Sequence, residues 1–184
     1  MDTTDTMHGE SSSSKVVFGV SIEHPLCKTN TSFLSSSPDN MFDFYHRAFV
    51  ISPKIAGELP VIYESVTTAV LLYNTGLSCH GNAIRSGSSI ELRRALQLYK
   101  MSLRIIQDNS LLHGEDTFQV VLLALLNNTG CIHSHFYDWN EMSECREVLY
   151  SLFASSNNLT MEDYVFFSYV LLPSYHISPV HAAA

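Results

Sequence analysis

Basic residues are scarce in this chain. Ten Lys and Arg stand against eighteen Asp and Glu over 184 residues, a formal charge of −8, and no basic run occurs. Phosphate contacts dominate affinity for nucleic acid, so that class of partner is disfavoured. An anionic membrane surface is disfavoured for the same reason. The four cysteines, Cys27, Cys79, Cys131 and Cys145, include no CxxC pair. They are expected as reduced, buried thiols of a cytoplasmic protein. Asn30, Asn127 and Asn158 head N-x-S/T triplets, which carry no meaning without secretion. The longest apolar run, Val120 to Leu126, falls far short of the ~20 residues of a membrane span. The acidic opening MDTTDTMHGESSSS lacks the basic region and apolar core of a signal peptide.

Catalytic signatures are also lacking. There is no GxSxG, P-loop, GxGxxG or HExxH. No catalytic residue, cofactor or metal site is therefore assigned. Cys131 and His135 stand four apart and would share a helix face, but a closed zinc site needs four ligands and a catalytic one three. No further ligand converges on that pair.

What is present is apolar and periodic. The chain is 46% hydrophobic and only 15% charged, which supports a packed core. Residues 1–14, with four consecutive serines, read as a disordered leader. Residues 15–56 read as an extended N-terminal segment with a loop at Pro25–Asn40, where Ser35–Ser37 precede a proline and could be phosphorylated. KVVFGVSI is a strand by its β-branched composition. In MFDFYHRAFVI, 41–51, Phe42, Phe44, His46, Ala48 and Val50 alternate with Asp43, Tyr45 and Arg47, which predicts a strand that pairs with 16–22. A two-stranded ribbon is marginal alone and must lie on helices to persist.

From 57 to 172 the period is helical. Pro60 suits a first turn. Val66, Ala69/Val70, Tyr73 and Leu77 recur at three and four, as do Leu92, Ala95/Leu96, Tyr99, Leu103 and Ile106. Ser88 with Glu91 makes a capping box, and Thr160 with Asp163 opens a last helix that Pro173 stops. Asp138 and Glu141 predict an acid-capped start between them. The third helix is apolar nearly all round, so it is buried on both sides. The tail 173–184 reads as irregular. The expected fold is all-α: about five helices in antiparallel hairpins, with a small N-terminal β-ribbon.

Two stretches repeat. YNTGLSCH, 73–80, and NNTGCIHS, 127–134, each carry N-T-G late in the first helix of a pair, after a leucine-rich run. With Leu72, Gly76, Ala95, Tyr99 and Ser102, the first unit resembles a tetratricopeptide repeat. The second, with Gly114, Glu115, Asp116, Leu126, Asn127, Asn128 and Gly130, resembles the kinesin-light-chain subtype. Thr75, Cys79 and His133 depart from the family pattern. The first unit also holds extra residues around RSGSSIE, and the second helix of the second unit fits poorly. The likeness covers roughly residues 60–155.

The resemblance implies a non-catalytic protein–protein interaction module that takes an extended peptide in a groove lined by the first helix of each unit. The family's groove positions fall on Val70, Tyr73, Asn74, Leu77 and His80, and on Ala124, Asn127, Asn128, Cys131, Ser134 and His135. Of these, Tyr73, Asn74, His80, Asn127, Asn128, Ser134 and His135 are the candidate site. The asparagines would bond a ligand's backbone, or else the protein's own. Gly76 and Gly130 would admit an aromatic of the second helix, and His133 stands in an aromatic's place. Two units make a short groove, which leaves it open to filling by the terminal segments. A structural or self-associating domain with a closed groove is the alternative. The fifth helix is expected to cap the array.

Overall fold

The computed structural model describes residues 17–21, 42–51, 60–108 and 116–172. The serine-rich leader, the Pro25–Asn40 loop, the Gly114-Glu115 loop residues and the tail from Pro173 lie outside them. Five helices form the body: α1 (Pro60–Ser86), α2 (Ser89–Asp108), α3 (Asp116–His135), α4 (Trp139–Ala154) and α5 (Met161–Leu171). Strands β1 (Val17–Ser21) and β2 (Arg47–Ile51) pair antiparallel, with Gly19 opposite Phe49. The fold is all-α with a small N-terminal strand pair.

Local chemistry sets the helix ends. Pro60 occupies the first position of α1, where its missing N–H costs nothing. Gly87 follows α1 with φ 69, a conformation that glycine adopts without steric penalty. The Ser88 hydroxyl accepts the Glu91 N–H at 3.3 Å, and Thr160 accepts the Asp163 N–H at 3.2 Å, so both expected caps are formed. Asp138 differs. It stands before α4 but makes no side-chain cap; its carboxylate lies 3.1 Å from His133 Nδ1 instead.

The helix pairs pack through the residues at three-and-four spacing. Leu92, Ala95, Tyr99, Ser102 and Ile106 of α2 are buried, and the Ser102 hydroxyl donates to the Ala69 carbonyl at 2.7 Å. Gly76 lies under the Tyr99 ring: a Cβ there would stand 2.7 Å from Tyr99 Cε1. This is the close helix–helix approach expected of that glycine. Gly130 has another partner. A Cβ at Gly130 would overlap the Phe42 ring of the N-terminal segment, not a residue of α4. Helix α3 is the central element, with every residue from Leu123 to His133 buried.

The N-terminal segment departs from the expected pattern in two ways. Only residues 47–51 are strand; residues 42–46 run without sheet pairing. The inward residues are also not the expected set. Phe42, Tyr45 and Phe49 are buried, whereas Val50 faces out and Phe44, His46 and Ala48 are half-buried. The segment meets helices on one side and α5 on the other, so the large rings take the inward places. Tyr45 stacks on Phe167 with ring centroids 5.2 Å apart, and Phe49 packs on Tyr73 at 5.0 Å.

Candidate functional site

Two asparagines, one on α1 and one on α3, grip the main chain of residues 42–51. Asn74 accepts the Phe49 N–H at 3.0 Å and donates to the Phe49 carbonyl at 2.8 Å. Asn128 accepts the Tyr45 N–H at 2.9 Å and donates to the Tyr45 carbonyl at 3.0 Å. Each amide thus meets both main-chain groups of one residue, as an adjacent β-strand would. Asn127 adds a third hold by donating to the Asp43 carbonyl at 2.6 Å. Tyr73 donates to the Arg47 carbonyl at 3.0 Å. The Asn127 and Asn128 bonds fall on residues 42–46, which have no sheet partner, and the Asn74 and Tyr73 bonds fall on strand β2.

The other expected groove residues are placed differently. His80 is fully buried, with its ring 4.3 Å from Phe44 and Nδ1 3.5 Å from the Tyr99 hydroxyl. Burial pushes its pKa down to about 3, and the charge of His135 acts in the same direction. The ring is neutral at physiological pH. Ser134 is half-buried and His135 exposed in the last turn of α3, where His135 meets Phe136 edge-on at 5.3 Å. The main-chain holds on residues 42–51 come from Tyr73, Asn74, Asn127 and Asn128; His80 contributes only its ring.

On the far side of the segment, α5 closes over it. The Asp163 carboxylate accepts the Tyr45 hydroxyl at 2.7 Å and lies 2.8 Å from Arg47 Nη1. It also receives the Thr160 hydroxyl at 2.6 Å. Glu162 adds a second ion pair to Arg47 at 3.2 Å. Asp163 is buried, so its charge is matched by three donors and not left alone in a low dielectric. Burial beside this carboxylate pushes the Tyr45 hydroxyl well above its ordinary range, so it stays a neutral donor.

Tyr45, Arg47, Phe49 and Asp163 were not among the sequence-derived site residues. Their only sequence signal was the Phe42, Tyr45, Phe49 spacing, which is helical in period although the segment is extended. Asp163 was visible as a cap residue and does that too.

Reactive chemistry is sparse among the described residues. Cys79, Cys131 and Cys145 are free, buried thiols. Burial pushes Cys131 up to about 12 and Cys145 up to about 11, so neither offers a thiolate at neutral pH. His133 is buried, bonded to Asp138 and 3.8 Å from Glu141 Oε2, an interior aromatic-sized residue with a polar anchor. Among the described residues, no three of His, Cys, Asp and Glu stand where they could hold a metal ion. No described helix is long and apolar enough to cross a membrane. Comparison of the chain with protein-family models, curated proteins and solved structures finds no match.

Proposed function

We propose that the protein is a non-catalytic, cytoplasmic, tetratricopeptide-like interaction domain whose groove is closed by its own residues 42–51, so that partners engage its outer faces. One observation carries this reading: Phe42, Tyr45 and Phe49 are buried among α1, α3 and α5 while Asn74 and Asn128 hold the main chain between them. Three large rings out of water contribute about 1.5–3 kcal/mol each, so the segment belongs to the core. A ligand from solution would have to match those rings and the Asp163 network before it could enter.

A second reading has its own support. The asparagine holds touch only main-chain atoms, and main-chain atoms are the same in any extended peptide. On that reading the groove exchanges its own segment for a partner's. A fluorescein-labelled peptide of residues 41–52, titrated with the intact protein and followed by anisotropy, separates the two. The closed-groove reading expects no saturable binding. Saturable binding, competed by the unlabelled peptide and lost in Asn74→Ala with Asn128→Ala, would establish exchange.

A further inference from the structure

We propose that the outer face of α5 is a self-association surface, which pairs two copies of this chain through antiparallel α5 helices. This deepens the reading that partners engage the outer faces. Helix α5 buries Asp163, Phe167, Val170 and Leu171 against the body. Met161, Val165 and Tyr169, with Leu172 just past its end, lie on the opposite side at helical spacing, and each is between 58% and 76% exposed. A terminal helix of a stacked array ordinarily turns a polar face to solvent. The last described helix turns hydrocarbon outward while its inner face covers the body.

Several observations favour a second copy as the occupant. The stripe is self-complementary about its middle. In an antiparallel pair, Met161 of one copy faces Leu172 of the other, and Val165 and the small Ser168 meet at the crossing, where they let the helices approach. Such isologous contact is the commonest form of homodimer. The stripe itself also carries no charge. A chain of formal charge −8 repels its own copy, so a self-contact needs a face where no carboxylates meet. Glu162, at the edge of the stripe, is held back by Arg47 of its own chain at 3.2 Å. The four side chains with Tyr164, which is 53% exposed, offer on the order of 600 Å² per copy. That approaches the ~800 Å² per partner of a specific interface and predicts a weak, concentration-dependent dimer.

The test is the mass in solution. Sedimentation or light scattering of the intact protein from about 1 to 300 µM spans the affinities such an area supports. Wild type is expected to rise from monomer to twice the monomer mass, and Val165→Lys with Tyr169→Lys to stay monomeric with unchanged circular dichroism. Both replaced side chains are exposed, so the fold does not depend on them. A wild type that is monomeric throughout, or a double variant that dimerises like wild type, overturns the proposal. A variant that has lost its circular dichroism is replaced by Val165→Glu alone, read the same way. Peptide uptake reports on the groove and mass on α5, so either reading can fail without the other.

Discussion

The side-chain amide of Asn128 meets both main-chain groups of Tyr45, 83 residues earlier in the chain, at 2.9 and 3.0 Å. The pair is buried, so no water replaces either bond if the amide is removed. Asn128→Ala is expected to destabilise the protein by about 2–4 kcal/mol, since each buried main-chain group left unpaired costs about 1–3 kcal/mol. Asn128→Asp keeps the acceptor, loses the donor and buries a carboxylate, and is expected to be no better. Asn74 makes the same two bonds to Phe49 from a half-buried position. Asn74→Ala should therefore cost less, about 1–2 kcal/mol. Urea unfolding followed by far-ultraviolet circular dichroism ranks them. Equal, negligible losses would contradict the clamp.

Gly76 makes the second prediction. A methyl at this position meets Tyr99 Cε1 at 2.7 Å and Cδ1 at 2.9 Å, and the Tyr99 ring is fully buried with no room to swing. On an exposed helix Gly→Ala gains about 1 kcal/mol. Here overpacking is expected to win, so that Gly76→Ala lowers stability by about 1–3 kcal/mol. In a Tyr99→Leu background the same change should cost less. A double-mutant cycle in urea reads the coupling, and strict additivity would place the strain elsewhere.

The helices were legible because their signal is local. Leu92, Ala95, Tyr99, Ser102 and Ile106 announce their buried face by spacing, and Ser88 and Thr160 announce the starts. The N-terminal segment was legible as extended but not in its orientation. Alternation at 42–50 offers two faces, and the choice of Tyr45 and Phe49 as inward residues is made by α1, α3 and α5, which are distant in sequence. The same limit applied to Gly130. Its glycine signals a close approach, yet the ring that approaches is Phe42, 88 residues earlier, and not one in its own hairpin. Asp138 offered a cap by position, but His133 competes for its carboxylate and wins.

His80 couples stability to pH. Its folded pKa is pushed down to about 3 by burial, against about 6.5 when unfolded. Among the described residues its surroundings are Phe44, Tyr99 and, through space, His135, and none of these is a carboxylate. The unfolded chain then binds more protons than the folded one between those values, so stability rises with pH there. The contribution is complete above about pH 6.5 and is lost as pH falls towards 3, at up to about 1.4 kcal/mol per unit. His133, whose pKa burial also lowers, acts in the same direction. His80→Gln is expected to flatten the slope of unfolding free energy between pH 6.5 and 4 relative to wild type. Parallel profiles would show that the buried ring is not what responds.

Among the described non-glycine residues, Tyr137 alone has a left-handed backbone, at φ 58 just past α3. The turn is a helix C-terminus in which the Asp138 N–H reaches back to the His133 carbonyl at 3.0 Å, and the residue before it must be left-handed. Glycine enters that region freely, whereas an L side chain costs about 1 kcal/mol. Burial does not repay this cost: Tyr137 is 73% exposed, and its ring meets half-exposed Trp139 at 6.3 Å. Tyr137→Gly is therefore expected to stabilise the protein by about 1 kcal/mol, reduced by the freedom glycine adds to the unfolded chain. Tyr137→Asn, which tolerates the same conformation, should gain less, and Tyr137→Val should lose stability because a β-branched residue is strained there. A rise in the urea midpoint in the order Val, Tyr, Asn, Gly checks the argument. Destabilisation by glycine would mean that the Tyr137–Trp139 contact outweighs the backbone strain.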